Sequence, residues 1–199
     1  MSTTIYLVRH AKKEKGIGDV PLTFEGVKQA QMTASHFRSM SITKLLCSPL
    51  ARAKQTAQCI AEGIILPVIE DIRLRERANW GDLPGQSFEE FAAMWDHCTK
   101  DRDFIPAIGD SAKIAGERLS SFLVEMSIEF PQGPIIAVTH GGLITDFLVH
   151  VCSQIELNQW HPHFLKEQSK LVPECSITKL ICRDGTFQLV DFANVSHLE

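Results

Sequence analysis

Short apolar runs alternate with longer amphipathic stretches along this chain. Ile5-Tyr6-Leu7-Val8 and Ile135-Ile136-Ala137-Val138 are continuous runs of strand length, and Lys44-Leu45-Leu46-Cys47 reads the same way. Between the runs the apolar period lengthens to that of a helix. Val27, Ala30, Ala34 and Phe37 form one face of a helix entered through Pro21-Leu22-Thr23, with Thr23 as N-cap and Glu25 in the first turn. Ser48-Pro49 predicts a second start, with Ser48 as N-cap, Pro49 at the first helical position, and Leu50, Ala53, Ala57 and Ile60 facing inward. Leu66 to Leu74 holds a third strand-like piece, and Arg75-Glu76-Arg77 follows it. Asp110 or Ser111 caps a long helix bearing Ala115, Leu119, Phe122, Met126 and Phe130. Leu143, Ile144, Phe147 and Val151 mark another helix. Cys175–Cys182 and Phe187–Phe192 read as strands around the turn Arg183-Asp184-Gly185.

Strands alternating with helices imply an α/β fold, a three-layer sandwich with a mostly parallel central sheet and helices on both faces. Length, 199 residues, suits a single domain spanning 1–199. From about 78 to 109 the periodicity loosens around Trp80, Gly81, Pro84, Gly85, Trp95 and Pro106. Ser87 and Glu90 form a capping-box pair there, ahead of Phe88, Phe91 and Met94. This stretch is expected to be a cap inserted over a site on the sheet edge.

Charge and cysteine usage narrow the partners. The formal net charge of -4 disfavours nucleic acid as a partner. No apolar run reaches the roughly 18 residues of a membrane span, so no membrane partner is expected. The first strand starts within a few residues of Met1, so no secretory signal is expected. Cys47, Cys59, Cys98, Cys152, Cys175 and Cys182 contain no CxxC pair and read as reduced thiols of a cytoplasmic protein.

Candidate chemistry sits where strands end. A buried strand has no structural use for Arg9-His10 at its C-terminal end, and in α/β sheets that is the end where ligands bind. A second run ends in Thr139-His140-Gly141-Gly142, which would bring both histidines to one edge. Arg52 and Glu76 also follow strand-like runs. The bland alternative for each is a basic strand stop or a surface ion pair, such as Glu76 with Arg75 or Arg77. His36, His97 and His150 lie in helical stretches and read as surface or packing residues. Lys12, Lys13 and Lys15 read as a solvated face, and Trp80 and Trp95 as cap core or substrate platform. There is no GxSxG elbow, no Walker A loop, no HExxH and no zinc-type cysteine spacing. Two arginines beside two histidines suit a dianionic phosphate. Guanidinium offers a planar donor fork, and a neutral imidazole nitrogen is a nucleophile.

Taken together, the motifs resemble the histidine phosphatase superfamily, the phosphoglycerate-mutase-like group. They are Arg9-His10-Ala11, Leu22-Thr23-x-x-Gly26-x-x-Gln29-Ala30, Ser48-Pro49-Leu50-x-Arg52-Ala53-x-Gln55-Thr56-Ala57 and Thr139-His140-Gly141-Gly142. Gly109-Asp110-Ser111, Cys175-Ser176-Ile177-Thr178 and Ser196-His197-Leu198 resemble its phosphatase branch. The resemblance implies His10 as phosphoryl acceptor, Arg9 and Arg52 as phosphate ligands, His140 as second histidine and phosphate ligand, and Glu76 as general acid. It implies a metal-independent phosphomonoesterase without a cofactor, acting on a small phosphorylated metabolite. The alternatives are a phosphoglycerate-type mutase on the same scaffold and a non-catalytic phosphate-binding domain. Three departures stand out: Ala11 where the triplet has glycine, Gly16 where members carry asparagine, and unusual spacing over Ala78-Asn79-Trp80-Gly81-Asp82.

Overall fold

A computed structural model describes residues 2–199. Its centre is a six-stranded sheet in the order β3-β2-β4-β1-β5-β6. The strands are β1 (Ser2–Arg9), β2 (Lys44–Cys47), β3 (Val68–Glu70), β4 (Ile135–Thr139), β5 (Ile177–Arg183) and β6 (Thr186–Asn194). β1, β4, β2 and β3 pair in parallel, and β5 runs antiparallel to both β1 and β6. The mostly parallel α/β sheet is the expected one.

Alternation along the buried strands assigns the layers. Ile5, Leu7, Leu46, Ile135, Ala137 and Leu180 pack with helices α4 (Ala112–Glu129) and α5 (Gly141–Val151). Their neighbours Val8, Leu45, Cys47, Ile136, Val138 and Ile177 pack with α1 (Phe24–Phe37) and α2 (Ala51–Ile64). A strand buried on both faces reads as a continuous apolar run, and β4, buried at every position, is apolar from Ile135 to Val138. Full burial of side chains such as Phe122 and Phe147 contributes about 1.5–3 kcal/mol each.

Helix starts follow the sequence with one exception. Thr23 caps α1 by accepting from the Gly26 amide, and Ser111 caps α4 by accepting from Ile114. Ser87 and Glu90 form a complete capping box at α3 (Phe88–Lys100). Ser48-Pro49 does not start α2. The helix begins at Ala51 after Leu50, which gives no side-chain cap, because the Ser48 hydroxyl is engaged elsewhere. The strand-like piece within 66–74 is β3, Val68–Glu70, and Ile72–Leu74 is a 3-10 turn capped by Asp71. Cys175 is a turn residue with φ 56, so β5 starts two residues later than expected. The tight turn joining β5 to β6 has Asp184 and Gly185 both at positive φ, as a twisted two-residue hairpin requires. The short helices α6 (Gln154–Trp160) and α7 (Phe164–Glu167) fill the interval before β5.

Candidate active site

Register brings the site together. Arg9 pairs with Thr139 across β1 and β4, and Cys47 pairs with Val138 across β2 and β4. The residues just beyond, His10, Ser48 and His140, therefore emerge at nearly one level of one edge. The ladder continues past the strands: His10 N–H donates to Thr139 O at 2.8 Å, and Ser48 N–H donates to Val138 O at 3.0 Å. His10 and Ser48 cannot move without breaking these hydrogen bonds. The rings of His10 and His140 stand edge to face, with centroids 5.2 Å apart.

His10 is buried, and its tautomer follows from its partners. Nδ1 lies 2.8 Å from Ala11 O. A carbonyl only accepts, so the proton is on Nδ1 and the lone pair on Nε2. Arg52 Nε donates to that lone pair at 3.2 Å. Burial, followed by Arg52 and then Arg9, holds the His10 pKa well below the usual imidazole value. A neutral imidazole with a directed lone pair results.

His140 is also fully enclosed, and burial and then Arg52 lower its pKa well below the ordinary value. Its Nε2 shares a 2.8 Å hydrogen bond with Ser48 Oγ. Its Nδ1 has no partner within the protein, nor do Arg9 Nε and Arg52 Nη1. Buried donors and acceptors are rarely left unpaired, and three on groups lining one cleft suit an anionic ligand. Arg52 stands in the first turn of α2, buried, with Asp19 3.9 Å from its Nη1. Asp19 itself accepts from the Ala51 amide at 2.8 Å. Arg9 reaches the other way, donating to Val172 O and pairing with Glu174 at 3.0 Å.

Glu76 reaches the same cleft from a loop. Its carboxylate accepts from Gly142 N at 3.0 Å and from Arg77 N at 2.9 Å. The surface ion pairs considered from sequence do not form: Arg75 pairs with Asp110 and Arg77 with Asp146. Thr139 Oγ1 donates to Leu74 O at 2.7 Å and ties this loop to the end of β4. Gly142 permits the convergence, because a Cβ there would lie 2.5 Å from Trp95 Cζ2 and 2.9 Å from Glu76 Oε1.

All five residues expected from sequence, Arg9, His10, Arg52, Glu76 and His140, line one cleft of about 380 Å³. Of the lysines, Lys13 lines it too, and burial followed by Arg52 and Arg9 lowers its pKa. Lys12 instead pairs with Glu25 on the surface. Ala11 is no obstacle to a ligand. It is fully buried beside Leu22, Ala30 and Cys175, and its amide donates to Thr56 Oγ1 at 3.0 Å. The loop after His10 is braced by α1, whose Gly26 admits no Cβ because it would run into the Lys12 carbonyl.

Two residues escaped the sequence reading. Ser48, taken as a helix cap, is the partner of His140. Its signal was the one used for the histidines, a polar residue directly after a buried strand. Arg77 is 1% exposed. It holds both Asp146 carboxylate oxygens from α5, the Trp95 carbonyl and Thr99 Oγ1, and its guanidinium lies 3.7 Å from the Trp95 ring centroid. Nothing local in the sequence announces a partner 69 residues away.

Comparisons with known proteins bear on the family and the fold. The family model for the histidine phosphatase superfamily (branch 1) matches residues 5–195. A Bacillus subtilis (strain 168) protein named "Uncharacterized phosphatase PhoE" is 26% identical over 204 residues, covering 98% of this chain and 97% of that protein. A Yersinia pestis (strain Pestoides F) protein named "Probable phosphoglycerate mutase GpmB" is 33% identical over 152 residues, 69% of each chain. Among solved structures, a variant of Entamoeba histolytica phosphoserine phosphatase in complex with phosphoserine superposes with a TM-score of 0.76. It is 24% identical and covers 99% of this chain and 100% of that one. A mycobacterial glucosyl-3-phosphoglycerate phosphatase superposes with a TM-score of 0.72 at 21% identity, over 98% of this chain and 100% of that one.

Proposed function

This chain belongs to the histidine phosphatase superfamily, and we propose that it is a metal-independent phosphomonoesterase acting through a phosphohistidine on His10. The observation that carries this reading is the His10 ring: buried, protonated on Nδ1, with its Nε2 lone pair held at the floor of a cleft between two arginines. A phosphate dianion fits beside it, taking donors from Arg52 and Arg9. The Ser48 hydroxyl, by donating to His140 Nε2, leaves the proton on His140 Nδ1 for a third phosphate oxygen. These donors oppose the charge that builds on the equatorial oxygens in the transition state.

In the first step Arg52 Nε–H passes from His10 Nε2 to a phosphate oxygen, and the freed lone pair attacks phosphorus in line. The ester P–O bond breaks, and a protonated Glu76 gives its proton to the departing oxygen. In the second step water attacks the phosphohistidine, Glu76 takes up its proton, the N–P bond breaks, and inorganic phosphate leaves. Residues 78–109 serve as a cap in this reading, closing the leaving-group side of the cleft. The chemistry implies a small phosphorylated molecule as partner.

Rapid quench with ³²P-labelled substrate in the presence of EDTA tests this reading. The expected product is an acid-labile, alkali-stable adduct on the peptide containing His10. An adduct on His140, or turnover lost to EDTA and restored by a divalent cation, would overturn it. The relative named as a mutase supports a second reading, in which a hydroxyl replaces water in the second step. Isomerisation of 3-phosphoglycerate faster than phosphate release, with a bisphosphoglycerate primer present, would favour that reading.

A further inference from the structure

We propose that the cleft selects phosphomonoesters whose leaving group is flat, apolar and uncharged, in chemical class an aryl or arylalkyl phosphate. This rests on the phosphatase reading and goes beyond it by naming the group that departs.

The two ends of the cleft differ in kind. Its cations are Arg9, Lys13 and Arg52. None of the three stands among residues 78–109. The opposite wall is formed by Trp80, Phe88, Phe91, Ala92 and Trp95. None of these can neutralise an anion. A phosphorylated amino acid or a phosphoglycerate brings a carboxylate on the leaving-group side. That carboxylate would lie against aromatic rings, stripped of water and without a cation, which is costly.

Where the leaving group starts is set by Gly142. The tip of the Trp95 ring and the Glu76 carboxylate both lie within 3 Å of the point a Cβ on Gly142 would occupy. An oxygen that takes the Glu76 proton therefore begins beside the Trp95 ring, and its substituent runs along the wall. Trp95 is fixed for this role, because the Arg77 guanidinium covers it at 3.7 Å and is itself locked to Asp146. At the mouth, Phe88 is 59% exposed and meets Trp80 edge-on at 5.2 Å. An apolar group bound there would cover an aromatic pair that the protein leaves open. Asn79 and Ser169 add polar points to the lining; they offer hydrogen bonds but no positive charge to balance a carboxylate.

The test compares benzyl phosphate with 3-phosphoglycerate and O-phosphoserine, whose leaving alcohols are similarly poor. Calorimetry with benzylphosphonate and 3-phosphonopropionate runs alongside it. Ring stacking and burial should favour the benzyl compounds about tenfold in kcat/KM and in Kd. Phe88→Ala changes an exposed residue with little consequence for folding, and it should cut that preference several-fold. Trp95→Leu should cut it further, with the melting temperature recorded in parallel. Equal or reversed preference in the wild type, or a preference that survives both variants, overturns the proposal. If no ester turns over but benzylphosphonate still binds about tenfold more tightly, the wall is as proposed and the phosphatase reading falls. Turnover without preference leaves the phosphatase reading standing and removes the aromatic selection.

Discussion

The histidine end of the cleft and its aromatic wall are held by different means. His10, Ser48 and His140 are the first residues past three parallel strands, and the ladder hydrogen bonds continue through His10 and Ser48. Their positions are a property of the sheet. The wall stands on one side-chain assembly: Arg77 clamps α3 to α5 through Trp95, Thr99 and Asp146. The glycines at 81, 85 and 109 all sit at positive φ in the stretch around it. Chemistry of the kind proposed needs sub-ångström placement, which backbone supplies, whereas selection of a leaving group needs shape, which packing supplies.

Breaking the histidine end should have the largest effect. His10→Ala should lower kcat by at least about 10⁴-fold, the scale seen when a covalent nucleophile is removed. Stopped-flow and steady-state assays on p-nitrophenyl phosphate would show it, and substantial residual turnover would mean that another group accepts the phosphoryl. Glu76 joins the two regions, so its variant separates them. Glu76→Gln should cost about 10²–10⁴-fold on an alkyl phosphate and far less on p-nitrophenyl phosphate, whose leaving group needs little protonation. Equal losses on both would move the acid role elsewhere.

Breaking the wall should register first in stability. Arg77→Met leaves buried Asp146 with only Arg102, 3.9 Å from its Oδ1, and should cost about 3 kcal/mol in urea unfolding. Adding Asp146→Leu should recover much of that loss. If the single variant is as stable as the wild type, the clamp does not hold the wall. Ser48→Ala should do less, roughly a tenfold drop in kcat/KM from the lost hydrogen bond to His140. Ser48→Thr should restore most of it, and the pH profile should shift with the His140 titration.

A pH dependence adds a test that does not depend on substitution. The folded pKa values of His10 and His140 lie well below normal, and burial, followed by His36, brings His197 down to about 4. In the unfolded chain each titrates near 6.5. As pH falls below about 6.5 the unfolded chain takes up these protons and the folded one does not, so stability is lost. Asp146 has the opposite sign, since burial raises its carboxyl to about 7; it gains stability as pH falls. Three histidines outweigh one carboxylate, and Tm should fall between pH 7 and 5. Phosphate should lessen the loss by favouring charged imidazoles in the cleft, and a flat Tm would contradict the assignment.

Much of this was legible in the sequence because it is local or periodic. Continuous apolar runs identified strands buried on both faces, and polar residues directly after them identified the ligand edge. A parallel sheet then obliges His10 and His140 to meet. The capping residues Thr23, Ser87 and Ser111 were readable because a cap bonds within three residues of itself. Other features depend on distance and were decided only in three dimensions. Ser48 has the sequence form of a helix cap, yet the hydroxyl goes to a histidine 92 residues away. Leu66 to Leu74 has the apolar content of a strand, yet Asp71 caps a 3-10 turn that swings Glu76 toward Gly142. Arg77 has the form of a surface arginine until Asp146 arrives from the other side of the cleft. Local hydrogen bonds and hydrophobic period are properties of a few neighbouring residues, so a sequence can state them. Which buried charges find each other depends on how the layers close, and only the folded chain settles that.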